Sequence, residues 1–534
     1  MKPWKMWGTA LLSWLIVALG QPAWSPWLAP VAACIGYALF WRVAVELPFS
    51  KTRFWVATVW FTAVQFVQLS WMTSVEFQGY YILFVYFAIA LWLGLQFGLV
   101  TLFIDKIPLV ATAALWTLLE WARLHVLCGF SWNPAGLSLS AFALPMQAAS
   151  LFGVLGLSFM VILTNLAFWK KRWKVALALA VFPYLFGIIH TRLHQSKIDQ
   201  SDTMTIGLVQ TGLLPSQKIP IDGRFHEFIP PSQQWHRIMH LLKIHQTEPL
   251  DLVVLPEFTV PCSAHQETYP SSVVRHILED VLGQSVKDYL SGLHTDIKVS
   301  NQFWVQSVAK IFKTDVIAGL EAEEGGHHFT SAFYCPHNGD KVHRYDKQIL
   351  VPLAEYVPFE WVRTLTKSYG ITEFFTHGKE AKVFAGKVPL STSICYEETF
   401  SHLMRQGRQK GASLFVNLTN DNWYPHSRLP KQHFDHARLR AVENGVPMVR
   451  ACNTGITAAV DSLGRVIGQI VEEQRADVLV AKVPLYHYST LYSFWGDWGI
   501  VSLSALFIIV CFFLGGLKGT LKRDDQKLAI KSGS

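Results

Sequence analysis

The chain has 534 residues, 51% of them apolar and only 16% charged, against about a quarter charged in a soluble enzyme. That deficit excludes a disordered chain, a nucleic-acid coating protein and an ordinary soluble enzyme, and the 35 Phe, 21 Trp and mean hydropathy of +0.26 place part of the chain in lipid. The 46 Lys and Arg exceed the 38 Asp and Glu to leave a net charge of +8, which suits nucleic acid or anionic lipid until the positions of the charges are considered.

In chain order, residues 1–195 are apolar blocks with thin polar joints. A crossing helix needs about 20 apolar residues, and seven segments are candidates: 7–24, 27–45, 54–71, 80–103, 109–126, 148–169 and 175–189. The first resembles a secretory leader, with Lys2 and Lys5 ahead of an apolar run, but more spans follow at once, so it reads as an uncleaved helix. The first two are tight enough to be tilted or partly re-entrant, and the last is short. Residues 201–487 read as a soluble domain, 498–517 as an eighth span and 518–534 as a basic tail.

Lys2, Lys5, Lys51, Arg53, Lys106, Lys170, Lys171, Arg172, Lys174, Lys518, Lys522 and Arg523 cluster at one set of span ends. The opposite ends, near residues 21–25, 72–79 and 131–147, carry no Lys or Arg. This alternation predicts both termini in the cytoplasm and the soluble domain outside, which is the periplasm in a bacterium with two membranes. The basic residues then face anionic headgroups, and nucleic acid is not needed as a partner. Glu120 and Arg123, at i,i+3 near the outer end of the fifth span, read equally as a substrate contact or as an ion pair fixing the helix end. The following CGFSWNPAG suits an interfacial loop facing the outer domain.

Seven cysteines are too few for a disulfide scaffold. Cys34, Cys128 and Cys511 lie in or beside spans, whereas Cys262, Cys335, Cys395 and Cys452 lie in the outer domain, where a working thiol needs shielding. His433 with His436, and His327 with His328, mimic metal pairs but lack a third ligand in register, so no metal is expected.

In the outer domain, TIGLVQ, LDLVVLPE, DVIAGLE, SAFYCP, LSTSICYEE, SLFVNLTND, PMVRACN, GITAAVD and DVLVAKVPL read as strands. QQWHRIMHLLKIHQ, QFWVQSVAKIF, HLMRQGRQKG and QHFDHARLRAVENG read as helices. Alternation of this kind predicts α/β layers. Asn417 begins a glycosylation sequon, but inside an expected buried strand. Arg440 and Glu443, at i,i+3, read as a structural pair. Asn420, Asp421 and Trp423 follow a buried strand and are candidates to line a pocket.

Three reactive residues sit just past apolar runs: Glu257 in VVLPE, Lys347 in HRYDKQILVP and Cys395 in SICYEETF. A thiol is a nucleophile only as thiolate; it needs a base to take the proton and a positive group to favour the anion. A Glu and a Lys supply both, and the Lys can also donate to an oxyanion.

VVLPE, YDKQILVPLAEYVPF and SICYEETF resemble the Glu–Lys–Cys framework of the nitrilase superfamily. VNLTNDNWYPHSRLPKQHFDHARLRAVENGVPMVRACNTGITAAVDSLG, with the eight-span plan, resembles the bacterial apolipoprotein N-acyltransferases, a membrane-embedded branch of that superfamily; the likeness runs from EWARLHVLCGFSW through TLYSFWGDW. The resemblance implies a four-layer α-β-β-α sandwich beside a helical membrane bundle. It implies a two-step acyl transfer without a cofactor: Cys395 takes a fatty acyl chain from the sn-1 ester of a phospholipid, then passes it to the α-amine of an S-diacylglyceryl-cysteine lipoprotein. Glu257 would be the base, Lys347 the oxyanion donor and Glu355 a second acid, with Tyr396 and Glu397 shaping the pocket. The molecule is expected to work as a monomer. YVPFEWVRTLTKSYG after Glu355 reads as a mobile arm over the pocket or a plain surface loop.

The chain departs from the family pattern at Val209–Gln210–Thr211–Gly212, at Ile219 after Lys218, where an aromatic is usual, and at Leu353–Ala354. Two rivals remain: a membrane-tethered nitrilase-type amidase, in which water replaces the amine, and a lipoprotein-binding module with a dead site.

Overall fold

The computed structural model describes residues 2–294, 296–339, 341–357, 374–470 and 472–513. Most of the expected arm after Glu355 and the basic tail lie outside the described residues.

The N-terminal region is helical: α1 (Pro3–Leu19), α2 (Ala29–Ala44), α3 (Ser50–Gln68), α4 (Tyr81–Phe103), α5 (Leu109–Ala122), α6 (Ala149–Trp169) and α7 (Trp173–Asp199). Three of these, α4, α6 and α7, are long and apolar enough to cross a membrane. The second expected span carries a π turn at Ala32–Gly36. The seventh, expected to be short, is instead the 27-residue α7. Its apolar stretch stops at Ile189, but the helix continues through His190 and His194, whose rings pack on Tyr488 at 5.5 and 3.9 Å. Helices α3 and α4 press together where Gly94 faces Thr58 and Thr62; a Cβ on Gly94 would stand 2.1 Å from Thr62 Oγ1. Small residues allow such close approach where lipid offers no hydrophobic drive to associate. Phe40 and Trp60 stack at 4.2 Å in the core of this bundle.

The strands of the second region are β1 (Thr203–Gln210), β2 (Leu252–Val254), β3 (Tyr269–Pro270), β4 (Lys298–Val299), β5 (Asp315–Glu324), β6 (His327–Cys335) and β7 (His343–Asp346). After them come β8 (Val383–Ala385), β9 (Pro389–Ile394), β10 (Leu414–Thr419), β11 (Met448–Cys452), β12 (Thr457–Val460), β13 (Val466–Ile470) and β14 (Asp477–Pro484). They form two six-stranded sheets, β14-β1-β2-β5-β6-β7 and β13-β12-β11-β10-β9-β8, with β3 and β4 as a separate pair.

The sheets bury a common inner core of Ile206, Leu208, Val254 and Ile317 against Leu414, Val416, Leu418 and Val449. Near-continuous apolar strands are needed because both faces are covered. Helices α8 (Pro231–His245), α9 (Ser271–Leu282) and α10 (Asn301–Phe312) cover the outer face of the first sheet through Trp235, Leu278 and Trp304. Helices α11 (Ser401–Gln409) and α12 (Leu429–Asn444) cover the second through Met404, Phe434 and Ala441. The result is the expected α-β-β-α sandwich. A further apolar helix, α13 (Asp497–Phe513), returns to the helical region, where Phe507 stacks on Phe159 of α6.

Helix α12 joins the two regions. Trp132 Nε1 donates to Gln432 Oε1 at 2.6 Å, and Gln432 Nε2 donates to the Gln68 carbonyl at 2.7 Å. Glu443 Oε1 accepts from the Val154 amide at 2.8 Å at the kink of α6. The Arg440–Glu443 pair is fully buried at 3.0 Å and acts within this joint.

Candidate active site

Topology alone gathers the reactive residues. Strands β2 and β5 run parallel, β6 reverses and β7 reverses again, so β2 and β7 end at one rim. In the other sheet β9, β10 and β11 are parallel. Glu257 follows β2, Lys347 follows β7 and Cys395 follows β9. Polar side chains emerge where buried strands stop, which is how sites form at the carboxyl ends of parallel strands.

Lys347 is 1% exposed. Its Nζ donates to Glu257 Oε1 at 3.0 Å and to Glu355 Oε1 at 2.6 Å, and Glu355 Oε2 accepts from the Val351 amide at 2.8 Å. Burial opposes the ammonium charge, but Glu257, Glu355 and Cys395 together hold its pKa well above the usual lysine value. Burial pushes the Glu257 pKa up, against the pull of Lys347. The Cys395 thiol faces Glu257 and Lys347, and burial followed by the Glu257 charge raises its pKa far above the ordinary thiol value. Burial and the neighbouring carboxylate thus favour the neutral thiol over the thiolate, so a reaction at this sulfur would need a base close by.

A base works only when ionised, so acyl capture should rise with pH as Glu257 deprotonates. Its raised pKa places that limb above the ordinary carboxylate value of 4.5. Measuring the initial capture rate against pH checks this; a rate independent of pH from the ordinary carboxylate value upward would contradict it.

Cys395 has φ = +50°, a left-handed conformation that costs a non-glycine residue about 1–2 kcal/mol and that collects at functional turns. The β5 backbone passes so close to Glu257 that a Cβ on Gly319 would lie 2.6 Å from Glu257 Cα.

The residues after Cys395 divide. Tyr396 turns towards the membrane region: its hydroxyl donates to the Gly129 carbonyl at 3.1 Å and its ring stacks on Trp132 at 5.9 Å. Glu397 turns inward and is fully buried. It accepts from Tyr345 Oη at 2.9 Å and from the amides of Gln348 at 2.6 Å, Ile349 at 3.2 Å and Ile394 at 2.7 Å. Its carboxylate thus ties the turn of Cys395 to the segment carrying Lys347. Burial raises its pKa to about 7, against those amides and Lys347. Glu397→Leu strands the buried Ile394 amide and Tyr345 hydroxyl together with the part-buried amides of Gln348 and Ile349, each unmade buried bond costing about 1–3 kcal/mol. A loss of about 3 kcal/mol or more is expected, read as a lowered thermal midpoint in detergent; an unchanged midpoint would contradict this role.

Glu120 and Arg123 do not join this cluster. Glu120 Oε1 accepts from Trp116 Nε1 at 2.7 Å and from the Ala135 amide at 2.8 Å, with Arg123 at 3.7 Å, so the pair braces the loop that carries Trp132. Asn420 is buried with its Oδ1 unpaired, and Trp423 is half-buried beside it. Asp421 turns inward, 2.8 Å from His433 Nδ1.

Lys218 is a member of the site whose role the sequence did not disclose. It is 4% exposed; its Nζ donates to the carbonyls of Phe258 and Thr259 and to Asn453 Oδ1, the last two at 2.9 and 2.6 Å. Asn453 Nδ2 in turn donates to the Glu257 carbonyl at 2.5 Å. Burial lowers the Lys218 pKa to about 7, with Glu257 opposing, and the lysine fixes the backbone that carries Glu257. A lysine in a polar stretch before a turn gives no signal of this in sequence.

The fold and the Glu–Lys–Cys cluster define a carbon-nitrogen hydrolase domain, and residues 229–491 match the family "Carbon-nitrogen hydrolase". Residues 13–167 match the "Apolipoprotein N-acyltransferase N-terminal domain". Among curated relatives, the apolipoprotein N-acyltransferase of Chlamydia trachomatis is 33% identical across 95% of this chain and 96% of its own. That of Chlamydia caviae is 32% identical across 94% and 97%, and that of Rickettsia bellii 30% identical across 66% of each. The chain belongs to the apolipoprotein N-acyltransferase family.

Proposed function

We propose that this membrane protein moves a fatty acyl chain from a phospholipid, through a thioester on Cys395, to the N-terminal α-amine of an S-diacylglyceryl-cysteine lipoprotein. The observation that carries this reading is the placement of the thiol: Cys395 faces Glu257 and Lys347, while the next residue, Tyr396, is bonded to the loop that follows α5. A nucleophile at the junction with the helical region meets an ester without lifting its tails into water, which would cost about 0.8 kcal/mol per CH₂ exposed.

In the first step Glu257 takes the thiol proton as Sγ attacks the sn-1 carbonyl carbon, and Lys347 Nζ donates to the resulting oxyanion. Collapse breaks the ester bond, and the proton on Glu257 passes to the departing lysophospholipid oxygen. In the second step the lipoprotein amine attacks the thioester, Glu257 accepts its proton, and the proton returns to the leaving thiolate. The thioester keeps the acyl group activated for the amine.

The wider arrangement follows the same reading. Residues 1–195 form seven spans, 201–487 the catalytic domain on the periplasmic face and 498–517 an eighth span. The alternation of Lys and Arg among the joints supports this, as does the run of apolar helices. Trp423 and Asn420, in the turn that follows β10, contact substrate. Glu120 and Arg123 act as a brace, and the protein works as a monomer.

A chase experiment separates acyl transfer from hydrolysis. Protein charged with labelled phosphatidylethanolamine and then given a diacylated lipopeptide should move the label to the peptide amine. Release as free fatty acid at the same rate with and without peptide would favour a tethered hydrolase and overturn the proposal.

A further inference from the structure

A second buried set of polar and charged groups, unused by the acyl-transfer steps, surrounds the nucleophile's backbone. His433 on α12, Asp421 after β10, Arg450 on β11 and Glu398 after Cys395 are each at most 2% exposed. Arg450 Nε donates to Glu398 Oε1 at 3.0 Å, and its Nη2 lies 3.2 Å from Asp421 Oδ2 and 2.9 Å from His433 Nδ1. His433 Nδ1 is 2.8 Å from Asp421 Oδ1; its Nε2 is 3.1 Å from Glu398 Oε1 and 3.2 Å from the Cys395 carbonyl. Both atoms facing Nε2 are oxygens, so Nε2 carries a proton and donates. Asn417 Nδ2 donates to the same carbonyl at 3.3 Å.

Buried ion sets rarely improve stability over apolar packing, so their retention beside a reactive turn calls for another reason. The nucleophile sits in a left-handed turn, and such a turn persists only when its surroundings over-determine it. The imidazole is held from the helical region as well: Trp132 packs on the His433 ring at 5.6 Å and on Tyr396 at 5.9 Å. The same indole is bonded to Gln432, the neighbour of His433.

We propose that His433 is a positioning residue: its Nε2–H, with Asn417 Nδ2, clamps the Cys395 carbonyl, holds the left-handed turn that aims Sγ at Glu257 and Lys347, and registers that turn against the membrane helices through Trp132. The inference rests on Cys395 being the nucleophile.

The test uses the full chain in detergent and two rates resolved by peptide mass mapping: iodoacetamide alkylation of Cys395, with Cys128 as internal reference, and acyl capture from phosphatidylethanolamine. His433→Phe keeps a ring against Trp132 but has no N–H; His433→Gln restores an amide donor. His433→Phe should slow capture about tenfold or more at saturating phospholipid with little change in KM, because small misplacements of a reacting atom cost that much or more. His433→Gln should recover most of the loss, and Cys395 alkylation should change against an unchanged Cys128. If His433→Phe does not fold, Asn417→Ala carries the same prediction through the other donor. Wild-type Cys395 reactivity in both His433→Phe and Asn417→Ala, or a His433→Gln as slow as His433→Phe, would overturn the proposal. A wild type that takes no acyl group defeats the acyl-transfer reading instead, and the alkylation rates still decide this one.

Discussion

Cys395→Ser is expected to lower acyl capture by about 10³-fold or more, to the background of a protein without a nucleophile. Serine has nearly the same shape and accepts the same left-handed turn, so the pocket should survive. What changes is the acid. A hydroxyl gives up its proton far less readily than a thiol, and Glu257, itself paired to Lys347, is too weak a base to remove it. Any acyl group that did reach serine would form an ordinary ester, which an amine attacks slowly. The two half-reactions should thus fail together, with a thermal midpoint close to wild type. Hydroxylamine-labile label retained on Cys395→Ser would place the nucleophile elsewhere.

Lys347→Met should cost both activity and stability. Removing an oxyanion donor lowers rates by about 10²–10³-fold. Lys347 also neutralises two carboxylates: Nζ lies 3.0 Å from Glu257 and 2.6 Å from Glu355, and the lysine is 1% exposed. Breaking a buried pair by removing one partner costs about 3–5 kcal/mol. Without the cation, one carboxyl should protonate, and if Glu257 takes that proton it ceases to be a base. The losses should therefore compound, giving no detectable capture and a clearly lower thermal midpoint. A Lys347→Met protein that still captures acyl groups within about tenfold of wild type would remove Lys347 from the chemistry, because an oxyanion donor supplies about 10²-fold or more.

Glu257 and Cys395 stood out in the sequence because each ends an apolar run, and buried strands announce themselves by composition, whereas Lys347 follows the polar HRYD and drew notice only beside them. The long strands and the helices α8, α10, α11 and α12 were legible for the same reason. Strands β7, β8 and β13 were not: they are short and lie at or next to sheet edges, and HRYD in β7 alternates too briefly to show a period. Helix α9 was missed because a short β-branched start, SSVV, conceals an amphipathic turn pattern. Hydropathy located α7 but halved it, since it registers lipid contact and not helix continuation past Ile189.

At the site, Glu397 was expected to help shape the pocket, and its carboxylate turns inward to collect backbone amides. Periodicity cannot report which way a side chain faces in a turn. His433 looked like half of a metal pair and is instead hydrogen-bonded among Asp421, Glu398 and Arg450. The available signal was Arg450 within the apolar run PMVRACN: a charge in a fully buried strand demands partners, though sequence does not say which ones.

In the proposed reaction one sulfur atom carries the acyl group. Intact-mass analysis of the purified chain, before and after incubation with phosphatidylethanolamine alone, tests it most directly. A mass increase of one fatty acyl chain is expected, mapped to Cys395 and removed by hydroxylamine. An unchanged mass, or an adduct mapped to another residue, would contradict it.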